Sequence, residues 1–220
     1  MHKTVENLQE IETLIKSNSH NKSNDKKIKV IAVSKTFKIN DIIPLLDYGH
    51  TDFGENKVQE AVDKWTNLKE KYKDLLLHMI GGLQTNKVKQ AVSLFDYIHS
   101  VDSPKLAKKI SQEQKKINKS LKLFIQLNIG NEVQKKGINY SELKDFKDYC
   151  VKELNLDIIG LMCIPPINFD PNNVFSKMKK YNIELGLSEL SMGMSSDYLE
   201  ASKNGSTFLR IGSKIFGNRS

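Results

Sequence analysis

The stretch IKVIAVSKTF, residues 28–37, begins with β-branched and apolar side chains and leads into a lysine. Residues 30–33 form a continuous apolar segment, which is typical of a parallel strand that is covered on both faces. Lys35 follows at the carboxyl end of that segment. Barrels of parallel strands build their active sites at this end. The stretch therefore predicts a buried parallel strand with Lys35 at its functional edge.

Similar short apolar runs recur along the chain, and segments with helical spacing separate them. In one such segment, Val58, Ala61 and Trp65 share a single apolar stripe. Parallel neighbours need a crossover of about a dozen residues, which these helices supply. An open doubly wound sheet and a closed barrel both fit the alternation, but a count of eight favours an α/β fold of the (β/α)8 TIM barrel type. The eight predicted strands are Ile28–Ser34, Thr51–Gly54, Leu76–Ile80, Tyr97–Val101, Leu121–Asn128, Leu156–Met162, Leu187–Met192 and Thr207–Ile211.

Capping signals mark several helix ends. Ser103–Pro104 and Asp170–Pro171 each place a capping side chain before a proline at the first helical position. Gly49 and Gly205 stand where helices should end in the left-handed conformation. These signals agree with the alternation of strands and helices.

The region before the first strand has its own pattern. Helical spacing from about Thr4 to Lys16 predicts an extra N-terminal helix against the bottom or side of the barrel. Residues 17–27 are polar, lack periodicity and predict a loose connection. No internal repeat beyond the β/α unit and no domain boundary is apparent, so we expect residues 1–220 to form a single domain.

The composition limits the classes of partner. The chain has 34 basic and 26 acidic residues, for a formal net charge of +8, and only 2 of the basic residues are arginine. The lysines are scattered beside acids, without interleaved aromatic residues. A nucleic-acid surface needs a concentrated basic stripe with stacking aromatics, so no nucleic-acid partner is expected. The scattered charge also favours a monomer.

The hydropathy pattern and the cysteines indicate the compartment. No apolar run approaches the roughly 20 residues of a membrane helix, and the N-terminus alternates charged and apolar residues, unlike a secretory signal. Cys150 and Cys163 show no metal-ligand spacing. We therefore expect a cytoplasmic protein that has two free thiols, no metal site and no membrane contact.

The first candidate functional residue is Lys35. Beside a buried wall, desolvation disfavours the charged form of a lysine, lowers its pKa and frees the amine to attack a carbonyl. The alternative is a surface lysine just past a strand end. That alternative stays open, because 32 of the 34 basic residues are lysines.

A candidate phosphate site follows the last two strands, which lead into LSMGMSSD and LRIGSKIFG. Gly193 and Gly212 would let backbone N–H groups approach an anion, and Ser191, Ser195 and Ser213 add hydroxyls. Barrels often bind phosphate after strands seven and eight. Alternatively, the two glycines only relieve tight turns.

The third candidate is Arg210, within the eighth strand. Its neighbours Leu209 and Ile211 would face the helices, so Arg210 would face the barrel interior. A structural ion pair is one possible role. As a ligand contact, the guanidinium would donate to an acceptor without a proton, such as a pyridine nitrogen. The amine, the phosphate site and the arginine together predict a pocket for pyridoxal 5′-phosphate.

The chain also contains, in order, IAVSKTF, FGENKVQE, HMIGGLQTNKVK, HSVDS, NIGNEVQKKGI, GLMCIPP, LSMGMSSDYLEAS and GSTFLRIGSKIFG. This series resembles the YggS/PROSC family of pyridoxal phosphate homeostasis proteins over nearly the whole chain. The resemblance implies a barrel similar to the N-terminal domain of alanine racemase, with the cofactor held as a Schiff base on the lysine of VSK. It also implies intracellular homeostasis of the cofactor, without robust catalysis, and PLP-dependent apoenzymes as recipients.

The resemblance implies six cofactor contacts. The lysine forms the Schiff base, the arginine faces the pyridine nitrogen, the two serines and the glycine contact the phosphate, and the asparagine lines the pocket. These six residues are Lys35, Asn56, Ser191, Arg210, Gly212 and Ser213.

Three further positions lie within these motifs, and two of them depart from the family pattern. Lys135 matches a second family lysine near the pocket mouth, with no role assigned to it here. Gly82, in IGGLQTNK, stands in place of the histidine of the family's IGHLQSNK. Ser213 stands in place of a threonine and keeps its hydroxyl. Neither departure affects the predicted binding of the cofactor.

The sequence alone leaves two other functions open. A racemase on this barrel would need a second acid–base group, which such enzymes take from a tyrosine of an additional β domain. We expect no length for that domain here, and Tyr198 lies in a predicted helix. A Schiff-base aldolase of phosphorylated sugars would share the lysine and the phosphate loops. It would place its lysine late in the barrel and give Arg210 no role.

Three further polar residues have no assigned catalytic part. His78 could reach the barrel lumen, but a hydrogen-bonded core histidine is the favoured interpretation. Asp52 and Glu55, in TDFGEN, could orient a base or satisfy a strand end.

Overall fold

The computed structural model describes residues 1–18, 28–130, 136–166 and 170–217. Eight parallel strands pair in chain order and close into a barrel, because the last strand pairs with the first. The predicted (β/α)8 TIM barrel is therefore confirmed. The strands are β1 (Lys29–Val33), β2 (Asp52–Glu55), β3 (Leu76–Met79), β4 (Tyr97–Val101), β5 (Lys122–Gln126), β6 (Ile158–Met162), β7 (Glu189–Met194) and β8 (Phe208–Ile211).

Helices surround the barrel and also precede it. They are α1 (Lys3–Asn18), α2 (Ile39–Asp47), α3 (Val58–Lys71), α4 (Val88–Leu94), α5 (Pro104–Ile117), α6 (Leu143–Asp148), α7 (Pro171–Glu184), α8 (Tyr198–Lys203) and α9 (Ser213–Phe216). None of these helices is long and apolar enough to cross a membrane.

The N-terminal helix α1 confirms the predicted extra helix and extends it. Its apolar stripe is buried at Leu8, Ile11 and Ile15, and it packs against α8 and α9. The predicted loose connection at residues 17–27 begins later than expected, because α1 includes its first two residues. The remainder, residues 19–27, lies outside the described residues.

The predicted helix caps are present. The Ser103 hydroxyl accepts a hydrogen bond from the N–H of Leu106, and the Asp170 carboxylate accepts two from the first turn of α7. Gly49 and Gly205 follow helix ends with φ of +95° and +87°. Each cap pairs backbone polar groups that the end of a helix leaves without a hydrogen bond. The local sequence therefore predicted where these helices begin or end.

The barrel wall separates two kinds of core. Apolar side chains between strands and helices form a continuous outer core that includes Leu209 and Ile211. Inside the lumen, Ile31, Phe124 and Phe208 form a small apolar cluster. Arg210 alternates with its two neighbours and points inward, as predicted.

Strand β7 departs from regular alternation. Its register against β8 shifts between Ser191 and Met194. Met192 lies in the outer core, and a Cβ at Gly193 would meet Ala201 on the same outer side at 2.5 Å. Two consecutive residues therefore face outward, with Gly193 at φ +92°. This bulge exchanges the face of Met194, the last residue of the strand, which lines the cavity.

We predict that Gly193→Ala lowers the free energy of unfolding by about 2–4 kcal/mol, because it combines left-handed strain with overpacking. Gly205→Ala is the matched control, since its φ is similar and the nearest atom to a Cβ is 3.6 Å away. We expect a loss of only about 1 kcal/mol for the control. Urea unfolding measures both values, and equal losses would show that the close contact behind Gly193 does not matter.

Candidate functional site

A cavity of about 540 Å³ opens at the carboxyl ends of the strands. Five of the six predicted contacts line it, and Ser191 is the exception. Apolar side chains form the rest of the wall, beside the hydroxyls of Ser195 and Ser196. The full lining comprises Val33, Lys35, Phe37, Asn56, Ile80, Ile164, Met194, Ser195, Ser196, Arg210, Gly212, Ser213 and Gly217.

A buried ion pair outside the barrel wall fixes the main chain next to Lys35. Glu55 Oε1 lies 2.9 Å from Lys64 Nζ and accepts hydrogen bonds from the Ser34 hydroxyl at 2.8 Å and from Trp65 Nε1 at 3.0 Å. Lys64 also donates to the main-chain oxygen of Ser34 at 2.8 Å. A buried carboxylate requires a partner of this kind. The residue before Lys35 is therefore held by both its side chain and its main chain.

The residue after Lys35 is also held by a hydrogen bond of its main chain. Thr36 adopts a left-handed φ of +69°, which is uncommon for a β-branched residue. Its N–H donates to Glu60 Oε1 at 2.6 Å, and Lys64 Nζ lies 3.1 Å from the same oxygen. Burial raises the pKa of Glu60, but these two contacts outweigh it and lower the pKa. The half-buried Lys35 thus projects from a turn that is fixed at both ends.

Arg210 lies on β8, the strand that pairs with β1, and is 5% exposed. Its Nη1 donates to Ser191 Oγ at 2.7 Å, and its Nη2 donates to the main-chain oxygen of Cys163 at 2.8 Å. Burial lowers the pKa of the guanidinium. No carboxylate among the described residues lies within ion-pair distance of it, so the structural ion pair that the sequence left open is not formed there. Further N–H groups remain for a ligand, because a guanidinium has five.

Ser191 does not occupy the predicted position. It is fully buried beneath the cavity, where its Oγ accepts from Arg210 and lies 2.8 Å from His99 Nδ1. Its role as a phosphate contact stays a prediction. The bulge at Gly193 turns Met194, later in the same strand, toward the cavity. Ser195, present in the same motif, reaches the cavity, and its Oγ accepts from the Gly212 N–H at 3.3 Å.

A line of polar contacts continues from Ser191 across the barrel lumen. His99 Nε2 lies 3.0 Å from His78 Nδ1, and His78 Nε2 lies 3.1 Å from Asp52 Oδ1. Lys29 Nζ lies 3.7 Å from the same carboxylate oxygen. Both imidazole rings are fully buried. His78 is thus a hydrogen-bonded core histidine, as the favoured interpretation predicted, whereas sequence reasoning missed His99.

Burial controls the charge of these groups. It lowers the pKa of His78, and lowers that of His99 further. For Asp52, burial raises the pKa, but the His78 hydrogen bond, the Thr51 hydroxyl and the Lys29 charge together lower it to about 2. Neutral imidazoles therefore face an ionised carboxylate.

Of the remaining sequence candidates, Gly82 lies beside a lysine side chain and Tyr198 lies away from the cavity. A Cβ at Gly82 would lie 2.9 Å from Lys136 Nζ, so a lysine occupies the space beside that glycine. Lys135 lies outside the described residues. Tyr198 is 2% exposed and packs in the outer core, so its hydroxyl does not face the cavity.

The similarity of this chain to known proteins first shows which class of barrel it forms. The family described as "Alanine racemase, N-terminal domain" matches residues 6–220. Alanine racemase from Corynebacterium glutamicum superposes with a TM-score of 0.68 at 15% identity, over 97% of this chain and 61% of that chain, which supports the fold alone. The barrel therefore has the fold of that domain.

Relatives with higher sequence identity show which family of this fold the chain belongs to. Pyridoxal phosphate homeostasis proteins from Pasteurella multocida and Aquifex aeolicus are 36% and 38% identical, each over 87% of this chain and 87% of the relative. The structure of PipY from Synechococcus elongatus with PLP bound has a TM-score of 0.84 at 32% identity, over 97% of this chain and 100% of that one. The chain belongs to the family of pyridoxal phosphate homeostasis proteins.

The buried histidines predict a pH dependence of stability. Unfolded histidines bind protons below about pH 6.5. His78, His99 and His50 have lowered pKa values in the fold, so the unfolded state takes up more protons as the pH falls. The free energy of unfolding should therefore decrease from pH 7 to pH 5.5, by about 1 kcal/mol for a histidine that stays neutral.

Urea unfolding at several pH values measures this slope. His99→Leu should flatten it, because it removes a buried neutral histidine. A wild-type profile that is flat over this range would contradict the prediction.

Proposed function

We propose that this chain binds pyridoxal 5′-phosphate in the cavity, holds it as a Schiff base on Lys35 and serves its homeostasis in the cell. One observation carries the proposal. The cavity brings the Lys35 amine together with a buried guanidinium and a group of hydroxyls, although these groups come from opposite ends of the chain. The names of the curated relatives and the PLP-bound PipY structure support the same conclusion.

The donor set fits the cofactor group by group. When bound, pyridoxal phosphate supplies an aldehyde and an electron-poor pyridine ring. The amine of Lys35 suits the aldehyde, and an N–H of Arg210 suits the pyridine nitrogen. Ser195, Ser196 and Ser213 line the cavity together, and their hydroxyls suit the phosphate. We assign the phosphate contacts to this serine group with Gly212.

Arg210 limits the chemistry of the site. A guanidinium donates hydrogen bonds and does not give up its proton, so a ring nitrogen facing it accepts a hydrogen bond and stays unprotonated. An unprotonated ring is a weaker electron sink. Reactions that need a fully delocalised carbanion are therefore disfavoured, while attachment to Lys35 is not affected.

The cavity wall supports a holder of the cofactor over a racemase. Among the described residues that line it, Lys35 and Arg210 carry the titratable side chains. Racemisation requires a second acid–base group on the opposite face of the substrate. The buried Tyr198 does not supply one. A sugar-phosphate aldolase would leave the anchored guanidinium of Arg210 without a role.

We further propose that the protein is a cytoplasmic monomer that passes the cofactor to PLP-dependent apoenzymes. Cys150 and Cys163 are buried free thiols, and burial raises the pKa of each to about 12, which keeps them inert. Such thiols suit a reducing compartment. Light scattering of the purified protein tests the monomer, and reactivation of an apoenzyme mixed with the loaded protein tests the transfer.

The attachment to Lys35 has a direct test. Borohydride reduction of the PLP-loaded protein, followed by peptide mass mapping, should place the reduced adduct on the Lys35 peptide. Lys35→Ala should abolish the adduct and leave the free energy of unfolding of the cofactor-free protein within about 1 kcal/mol of wild type, since the side chain is half-buried. Lys38→Ala, three residues on and exposed, is the control and should keep the adduct.

Two results would contradict this assignment. One is a yellow, reducible adduct that persists in the Lys35→Ala protein. The other is a wild-type protein that stays colourless after pyridoxal phosphate is added, which would remove the proposed cofactor altogether.

The phosphate assignment predicts a selective loss of affinity. Ser195→Ala should weaken pyridoxal phosphate about tenfold, because a hydrogen bond to a charged group is lost, and should change the affinity for unphosphorylated pyridoxal little. Ser176→Ala, on the exposed side of α7, is the matched control. Absorbance titration measures both affinities, and equal losses for the two ligands would move the phosphate site elsewhere.

A further inference from the structure

The polar line through the lumen runs in one direction. Asp52 is an ionised carboxylate and only accepts, so His78 Nε2 donates to it. His78 is neutral, hence its Nδ1 accepts from His99 Nε2. By the same logic His99 Nδ1 accepts from the Ser191 hydroxyl, whose oxygen accepts from Arg210. A donor-only group at one end and an acceptor-only group at the other fix every proton between them.

Aromatic packing holds the two rings of this chain in place. His99 stacks on Phe124 with ring centroids 4.3 Å apart, and His78 stacks on Tyr97 at the same separation. Phe208 lies between 5.2 and 5.9 Å from Phe124 and from both imidazoles. The rings therefore have little freedom to turn away from their hydrogen-bond partners.

Stability alone does not explain such a chain. Barrel lumens of this fold are filled mainly by branched aliphatic side chains in layers. Well-packed apolar residues are commonly as stable as a buried polar network, or more so. The chain of Ser191, His99, His78 and Asp52 also terminates on the guanidinium that faces the cavity.

We propose that His99, His78 and Asp52 are positioning residues of the cofactor site, which act through Ser191 to hold the plane of the Arg210 guanidinium. Ser191 anchors Nη1 and the Cys163 carbonyl anchors Nη2, so both terminal nitrogens are fixed. Asp52 provides the negative charge at the far end of the polarised chain. The proposal rests on the proposed binding of pyridoxal phosphate, because its effect is exerted on the ring nitrogen of that cofactor.

The first measurement needs no cofactor. Nitrogen-15 NMR of histidine-labelled, cofactor-free protein reports which ring nitrogen carries the proton. We expect neutral rings with the proton on Nε2 for both His78 and His99 at neutral pH. A proton on Nδ1 of either ring would overturn the one-way chain, whether or not the protein binds the cofactor.

The second measurement uses the PLP-loaded protein. His99→Leu removes the acceptor for Ser191, whereas the side-chain oxygen of His99→Asn can replace Nδ1. With His99→Leu, the reduced adduct should still map to Lys35, but the absorbance maximum of the bound cofactor should shift and its affinity should fall about tenfold. His99→Asn should restore most of both. A failed adduct in wild type would count against the proposed function, not against the chain.

Asp52→Asn extends the test to the far end and keeps the side-chain shape. Asp52 lies four hydrogen bonds from Arg210 and does not line the cavity, so it would not contact the cofactor directly. We expect a shift in the same direction as for His99→Leu. If both variants keep the wild-type absorbance maximum, its pH titration and the wild-type affinity, the residues only fill the core and the proposal is overturned.

Discussion

The burial of one guanidinium inside the barrel determines much of this structure. A charged group in a barrel lumen must replace the hydrogen bonds of water, and Arg210 does so with a hydroxyl and a main-chain carbonyl. The hydroxyl in turn needs an acceptor of its own, which commits His99 and then His78 to the lumen. The need for a further hydrogen-bond acceptor ends at Asp52, because an ionised carboxylate accepts hydrogen bonds without donating one. One inward arginine thus accounts for a polar layer in a barrel that would otherwise be apolar.

The Lys35 side of the site obeys a different constraint. For Lys35, a defined position matters more than a defined charge. Contacts outside the barrel wall hold the main chain beside it in place. Glu55 and Lys64 form a buried pair behind β1, and Ser34 is bonded to both. The strand wall therefore separates two buried charge systems, one behind the amine and one beneath the guanidinium. The cavity between them holds neither network, which leaves its volume for a ligand.

The sequence predicted the features that depend on local pattern. Strand order, helix caps and the inward direction of Arg210 follow from periods of two and 3.6 residues and from turn chemistry. Alternation failed after Ser191, because a bulge at Gly193 places Met192 and Gly193 together on the outer face of β7 and turns Met194 toward the cavity. The pairing of His99 with His78 was equally hidden, since it joins side chains of two strands and leaves no signal in either strand alone.

The lumen chain also affects how the proposed function should be understood. A holder of pyridoxal phosphate must bind the ring firmly without promoting reactions on it, and a fixed guanidinium meets both needs. In the proposed complex its hydrogen bond would stabilise the ring nitrogen in the unprotonated form, whereas a carboxylate in the same place would favour protonation and a stronger electron sink. Because Ser191 and Cys163 restrain both terminal nitrogens, the donor is set before the ligand enters, and less ordering is left to occur on binding. Under the proposed function, the buried polar layer would serve retention of the cofactor rather than its chemistry.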